Sequence, residues 1–349
     1  MYYLYYAGMA ADRSTEQIGM AISEDGLCFR RVGKDGLLIP RDPDCDWKNA
    51  RVCNPTVVRW RSEWLMFYQG AHVARCQTVH AIGVARSLDG LAWVAEPRPV
   101  LSIEDMRGKF AALERTSGVG GVIEPAVFVD GNRLRMWFVC YAGSYRSGTT
   151  LYMAASDDGG TRWTIDGDCV LSSRALGRCS IHYPQVVTSP TESWLWFSVN
   201  DWSTRAFGIC RLKIIRGGTG QVHVDDLEQV LPPSRDGLDI GVRSYFAMSL
   251  NGRQVRGISR LNRVLSQIAA SGRNYFGYAH SHLVAPQDGR LYYHAYHDDS
   301  EGVQPWMDIG SCELAAGQVT RPHTIALTRS SDRTAWDAFF VADPFIVRV

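Results

Sequence analysis

Apolar and polar residues alternate along this chain in short runs, with little helical spacing. Gln17-Ile-Gly-Met20, Ala81-Ile-Gly-Val84 and Leu151-Tyr-Met-Ala154 are such runs, and a period of two predicts half-buried β-strands. Each is followed by a version of one phrase: Ala21-Ile-Ser-Glu-Asp-Gly-Leu-Cys-Phe29, Ala85-Arg-Ser-Leu-Asp-Gly-Leu-Ala-Trp93 and Ala155-Ser-Asp-Asp-Gly-Gly-Thr-Arg-Trp163. The phrase predicts a hairpin. Asp-Gly supplies a positive-φ turn, the Ser and Asp side chains bond nearby backbone, and the aromatic opens the returning strand. These copies read as scaffold, with no catalytic role.

A second repeat interleaves with the first. Trp47-Lys-Asn-Ala-Arg-Val-Cys-Asn-Pro-Thr-Val-Val58 matches Trp336-Asp-Ala-Phe-Phe-Val-Ala-Asp-Pro-Phe-Ile-Val347 in register, and Val122-Ile-Glu-Pro-Ala-Val-Phe128 and Ile181-His-Tyr-Pro-Gln-Val-Val187 are shorter versions. Aromatic-rich runs follow three of them, at Trp64–Tyr68, Leu134–Phe138 and Trp194–Phe197, and Tyr278-Ala-His-Ser-His-Leu-Val284 begins a further unit. Prolines 55, 125, 184 and 344, with His280 in the remaining place, mark five units at intervals of about 60 to 100 residues, the spacing of four-stranded blades with loops. The expected fold is all-β: a five-bladed β-propeller. The chain ends on an innermost strand, at 343–349, and begins with a second strand, at 2–6. Pairing the C-terminal strand with the N-terminal strand would close the ring and remove two exposed edges. The longest interval carries an expected insertion near 236–272, within which 261–270 has helical apolar spacing.

Composition supports one domain over residues 1–349. Hydrophobic residues make up 46 %, ample for a core, and no segment reads as a linker. Lys and Arg (37) balance Asp and Glu (36), so there is no basic field to attract nucleic acid. The N-terminus lacks a basic region before its apolar residues, and no run approaches the roughly 18 apolar residues of a membrane span. A cytoplasmic protein with no membrane partner is expected; the oligomeric state has no sequence signature here. Nine scattered cysteines, with no CxxC pair, fit neither a disulfide framework nor a zinc site.

The units 342–347 with 2–6, the Glu124-Pro125 unit and Gly277–Val284 followed by Asp288-Gly289 and 292–297 resemble the five-bladed propeller glycoside hydrolases. These include arabinanases, β-xylosidases and arabinofuranosidases, with invertases and levansucrases as more distant relatives. The Ser156, Asp158-Gly-Gly160 and Trp163 set also resembles a sialidase Asp box, a turn shared by several propellers. Arg41-Asp42-Pro43 is similar to an invertase motif but falls outside the repeat register. The resemblance implies inverting hydrolysis by an Asp base on the first blade's inner strand, a pKa-modulating Asp on the third and a Glu acid on the fourth. Carried over by motif, these positions fall on Asp343, on Glu124 and, as a departure, on His182. It also implies that His280 lies near the axis, where an axial Ca²⁺ or its water could sit; no cofactor is otherwise required.

Glycoside hydrolysis needs one group to protonate the leaving oxygen and another to activate water or attack carbon, with carboxyls about 6.5–9.5 Å apart for inversion and about 5 Å for retention. Asp343 and Glu124 both stand immediately before a blade proline, so both should face one cavity; they are the expected acid/base pair. His182, with an ordinary pKa near 6.5, could serve as acid, tune Glu124 or bond substrate. Asn54 at the matching position can only hydrogen-bond. Tyr183, His280, His282, Arg51 and Trp47 complete the expected substrate-binding set. His280 and His282 share one strand face. Trp336, Tyr68, Tyr141 and Trp202 are further candidates for stacking on a sugar, and Arg51 and Arg115 for meeting an anionic group. The expected function is hydrolysis of a small glycoside or oligosaccharide. Two alternatives remain open: glycosyl transfer or phosphorolysis in the same cavity, and carbohydrate binding without hydrolysis.

Overall fold

In the computed structural model the described residues are 1–11, 15–74, 77–114, 116, 120–143, 148–176, 179–188, 192–201, 206–214, 227–231, 276–283, 289–298, 305–315, 318–319, 324–332, 334–338 and 340–349. The expected insertion at 236–272 lies outside them, as do Arg115 and Trp202. The chain is nearly all strand. A single one-turn α-helix, Ala111–Glu114, and two short 3-10 turns are the exceptions among the described residues. No helix there is long and apolar enough to cross a membrane.

The strands form antiparallel units. One is Arg51–Trp60, Glu63–Ala74, Gln77–Ser87 and the short Val94–Ala95; the next is Gly120–Asp130, Arg133–Ala142, Thr150–Ser156 and Thr164–Ser172. Cys179–Thr188 opens a third, with Ser193–Asp201, Ala206–Lys213 and Glu228–Leu231, and Phe276–Leu283 a fourth, with Arg290–Asp298, Pro305–Ala315 and Thr324–Leu327. The two chain ends share the remaining unit. Phe340–Arg348 pairs with Tyr2–Met9, which pairs with Glu16–Ser23. The hydrogen-bonded ladders join into two sheets, neither closed on itself among the described residues.

Apolar residues pack between consecutive units. Tyr5, Met20, Val52 and Met66 share one cluster; Phe67, Val84, Val122 and Phe138 another; Trp137, Leu151, Ile181 and Phe197 a third. Val187, Ile209 and Leu291 form a fourth, and Leu4, Tyr292, Ile309 and Val341 tie the 290–315 strands to the terminal ones. The inner strands also touch in sequence: 51–60 meets 120–130, which meets 179–188, then 276–283, then 340–348, and 340–348 meets 51–60.

Both sequence repeats have physical jobs. In the Asp-Gly phrase Ser23, Ser87 and Ser156 donate to Asp25, Asp89 and Asp158 at 2.9, 3.0 and 2.9 Å, and the N–H groups of Gly26, Gly90 and Gly160 donate to the serine oxygens. Backbone N–H groups then bond the three aspartates and hold their pKa values low. Neighbouring units lock onto these turns: Tyr5 Oη donates to Gly90 O, and Tyr292 Oη to Gly26 O. In the second repeat, Trp336 stacks on Tyr6 at 5.6 Å beside Gly8 and Gly19, and Trp47 stacks on Tyr68 at 5.8 Å beside Gly70 and Gly83. The glycines are there to admit the indole. A Cβ at Gly19 would lie 2.6 Å from Trp336 ring carbons. Gly19→Ala is therefore expected to destabilise the fold by about 1–3 kcal/mol through overpacking, read as a lower urea midpoint with an unchanged m-value.

Candidate active site

Each proline-marked inner strand breaks its ladder at the same point. Pairing shifts between Cys53 and Thr56, between Ile123 and Ala126, between His182 and Gln185, and between Ala342 and Phe345. Proline has no N–H to give the ladder, so a bulge there costs little. The residue ahead of it takes up the kink in the left-handed region: Asn54 at φ 52°, Glu124 at 56°, Tyr183 at 52° and Asp343 at 53°. Asn and Asp tolerate this conformation, whereas Glu and Tyr adopt it at a cost of order 1–3 kcal/mol. The kink turns the N–H of each of these residues out of its ladder and towards a side chain from the adjoining unit.

Those N–H groups build a belt. Asn54 N–H donates to Asp343 Oδ2 at 3.3 Å, Tyr183 N–H to Glu124 Oε2 at 2.8 Å, Glu124 N–H to Gln69 Oε1 at 3.3 Å and Asp343 N–H to His294 Nδ1 at 3.2 Å. The same His294 Nδ1 lies 3.4 Å from Asp343 Oδ1. His182 Nδ1 lies 2.9 Å from Glu124 Oε1, and the Tyr183 ring meets His294 edge-on at 5.4 Å. The Asn54 amide sits between two acceptors. In one orientation its NH₂ donates to Gln69 Oε1 at 2.8 Å; turned over, it lies 2.5 and 3.2 Å from the Asp343 oxygens. Asp343 is 4 % exposed and Glu124 6 %.

The structure thus brings together Asp343, Glu124, His182, Asn54 and Tyr183. Tyr183, not His182, occupies the kink position equivalent to Glu124 and Asp343; His182 precedes it and reaches Glu124 from one residue earlier. His280 and His282 belong to Phe276–Leu283, whose side chains lie outside the described residues, and the axial cation expected near His280 lies there too. Trp47, expected to line the site, is taken up by packing between units and donates its indole N–H to Pro97 O at 3.0 Å. Trp336 and Tyr68 share that packing role. Tyr141 meets buried His80, 2.7 Å from its Nδ1, and burial lowers the His80 pKa to about 3, which keeps it neutral.

Sequence reasoning missed Gln69, His294 and Glu16. Gln69 lies within Glu63–Ala74 and His294 within Arg290–Asp298, each between a tyrosine and a small residue. Glu16 heads the strand Glu16–Ser23, bridged in parallel to Arg51. Its carboxylate, Cys53 Sγ and Asp343 lie within 4.8 Å of one another, all buried. Arg51 Nη1 is 3.5 Å from Glu16 Oε2, and the Arg51 side chain is 41 % exposed, whereas Glu16 is 8 %. Burial pushes the Glu16 pKa up to about 7; Arg51 opposes the shift, Asp343 adds to it, and a Cys53 hydrogen bond opposes it. Burial likewise pushes the Cys53 thiol well up, and a protonated thiol is a poor metal ligand.

A carboxyl whose pKa rises on folding keeps its proton while the unfolded chain has already released its own. Stability is therefore lost as pH rises from about 4.5 towards 7. Removing that carboxyl removes the loss. Glu16→Gln is expected to gain about 3 kcal/mol relative to wild type between pH 4 and pH 8, measured from urea midpoints at the two pH values.

No family model matches the sequence, and no curated protein matches it. Solved structures do match its fold. A GH32 β-fructofuranosidase of Bombyx mori aligns over 92 % of this chain and 59 % of its own at 10 % identity with a TM-score of 0.56, and a variant of it was solved with sucrose. A sucrose-6-phosphate hydrolase from Lactobacillus gasseri aligns over 90 % of this chain and 57 % of its own at 13 % identity, TM-score 0.55. The chain thus spans less than three-fifths of the length of either. A further glycoside hydrolase structure aligns over 85 % and 80 % at 11 % identity, TM-score 0.53. The chain shares the fold of these glycoside hydrolase structures.

Proposed function

We propose that this chain is a five-bladed propeller glycoside hydrolase acting on a small glycoside or oligosaccharide. The cyclic order of contacts among the inner strands, and an apolar cluster between each unit and the next, support five blades in a closed ring. One observation carries the functional reading. Asp343 and Glu124, 219 positions apart in the chain, adopt the same kink before proline and are buried in one hydrogen-bonded belt.

In this reading Asp343 removes a proton from water as the water oxygen bonds to the anomeric carbon. The bond from that carbon to the leaving oxygen breaks, and the Glu124–His182 couple delivers a proton to the departing group. Histidine and carboxyl side chains are both among the groups that serve as proton donors in such a step. Asn54 and Tyr183 stand beside the two carboxylates and can bond sugar hydroxyls. The glycoside hydrolases that share the fold, one of them solved with sucrose, support a carbohydrate substrate.

A panel of nitrophenyl glycosides tests this. The wild type is expected to turn over at least one member, and Asp343→Asn and Glu124→Gln to lower kcat/KM by about 10²–10⁴-fold with folding intact by circular dichroism. Turnover unaffected by either substitution, or no turnover of any glycoside by the wild type, would overturn the reading.

A further inference from the structure

We propose that Glu16 is a positioning residue for Asp343: at low pH the two buried carboxyls share one proton, which resides on Glu16, and its release adds a second negative charge beside the reacting centre. This rests on the reading of Asp343 as the water-activating base.

The geometry supports it. The two carboxylates come from different strands and meet within 4.8 Å, with Glu16 8 % and Asp343 4 % exposed. At that range, with little water between them, like charges repel strongly and the first proton is retained. Its location follows from the donors. Asp343 receives the Asn54 N–H, set by the kink, at 3.3 Å and, when the Asn54 amide is turned towards it, the Asn54 NH₂ as well. Glu16 has a neutral thiol from Cys53 and an arginine at the limit of pairing distance. The ionised form is therefore better stabilised on Asp343.

The groups facing Glu16 can be named strand by strand. Arg51–Trp60 contributes Arg51 and Cys53, and Phe340–Arg348 contributes Asp343; Tyr2–Met9 places Met9 opposite it, which does not titrate. Glu124, from Gly120–Asp130, acts on this cluster through Cys53. Among these, burial dominates and carries Glu16 to about 7. Above that pH the extra charge raises the proton affinity of Asp343, making it a stronger base. It also favours the positive charge that develops on the sugar ring in the transition state. Both effects act in one direction, so kcat/KM should rise through neutrality by about three- to tenfold.

The test is the pH profile of kcat/KM for an activated aryl glycoside, from pH 5 to 9, in wild type, Glu16→Gln and Glu16→Asp. The wild type is expected to show a rising step centred near pH 7, Glu16→Gln no step, and Glu16→Asp a step at a displaced midpoint. A Glu16→Gln profile parallel to the wild type and lowered by a constant factor would mean a purely structural role and overturn the inference. Infrared difference spectra between pH 5.5 and 8.5 give a readout without turnover. A protonated-carboxyl band lost around pH 7 in wild type and absent from Glu16→Gln supports the inference; no such loss in wild type, or its survival in the variant, sinks it. Should the wild type hydrolyse no glycoside, the proposed function fails while the infrared result still decides the role of Glu16.

Discussion

The site depends on one backbone device: an inner strand that meets a proline and kinks into the left-handed region one residue earlier. The proline removes a ladder donor, and the kink turns the preceding N–H towards the adjoining unit. Because the device recurs at Asn54, Glu124, Tyr183 and Asp343, each of these four units offers a side chain or an N–H that its neighbour can use. A strand held straight would place neither Asp343 nor Glu124 in the belt, whatever its sequence. The strain at Glu124 and Tyr183, residues that gain nothing intrinsic from positive φ, is sustained by the packing between units and by these hydrogen bonds.

Much of this could be read from the residues. The Ser-x-Asp-Gly phrase carries its own turn chemistry, and prolines in register across distant segments identified equivalent strands. From that register Asp343 and Glu124 emerged as partners. Trp47 was misjudged because an aromatic near an inner strand looks alike whether it meets a sugar or fills the gap left by glycines; Gly70 and Gly83, alternating with bulky residues on the facing strands, were the available signal. The kink falls on Tyr183, one residue before its proline, while His182, two residues before it, reaches Glu124.

Glu16 was illegible for a different reason. It sits at the head of a third strand with no motif around it, and its meaning comes from residues 35 and 327 positions away. The corresponding positions are His80, within Gln77–Ser87 and bridged to Gly121, and Thr149, just ahead of Thr150–Ser156 and bonded to Ile181, so each of these three positions meets the next inner strand with a polar group. Only at Glu16 is that group a carboxyl beside another carboxyl. The chemistry of the pair, unlike the fold, is a property of contacts between units and has no local sequence signal.

Taken together, the belt is a set of acidic, amide and imidazole groups joined by hydrogen bonds between adjoining strands, with a second buried carboxyl, Glu16, beside Asp343. The most direct measurement is a crystal structure of the Asp343→Asn variant with a glycoside that the wild type hydrolyses. The account requires the scissile bond to lie between residue 343 and Glu124, with a water against the anomeric carbon on the side of residue 343. A glycoside bound away from the belt, or with its anomeric carbon turned from both positions, would contradict it.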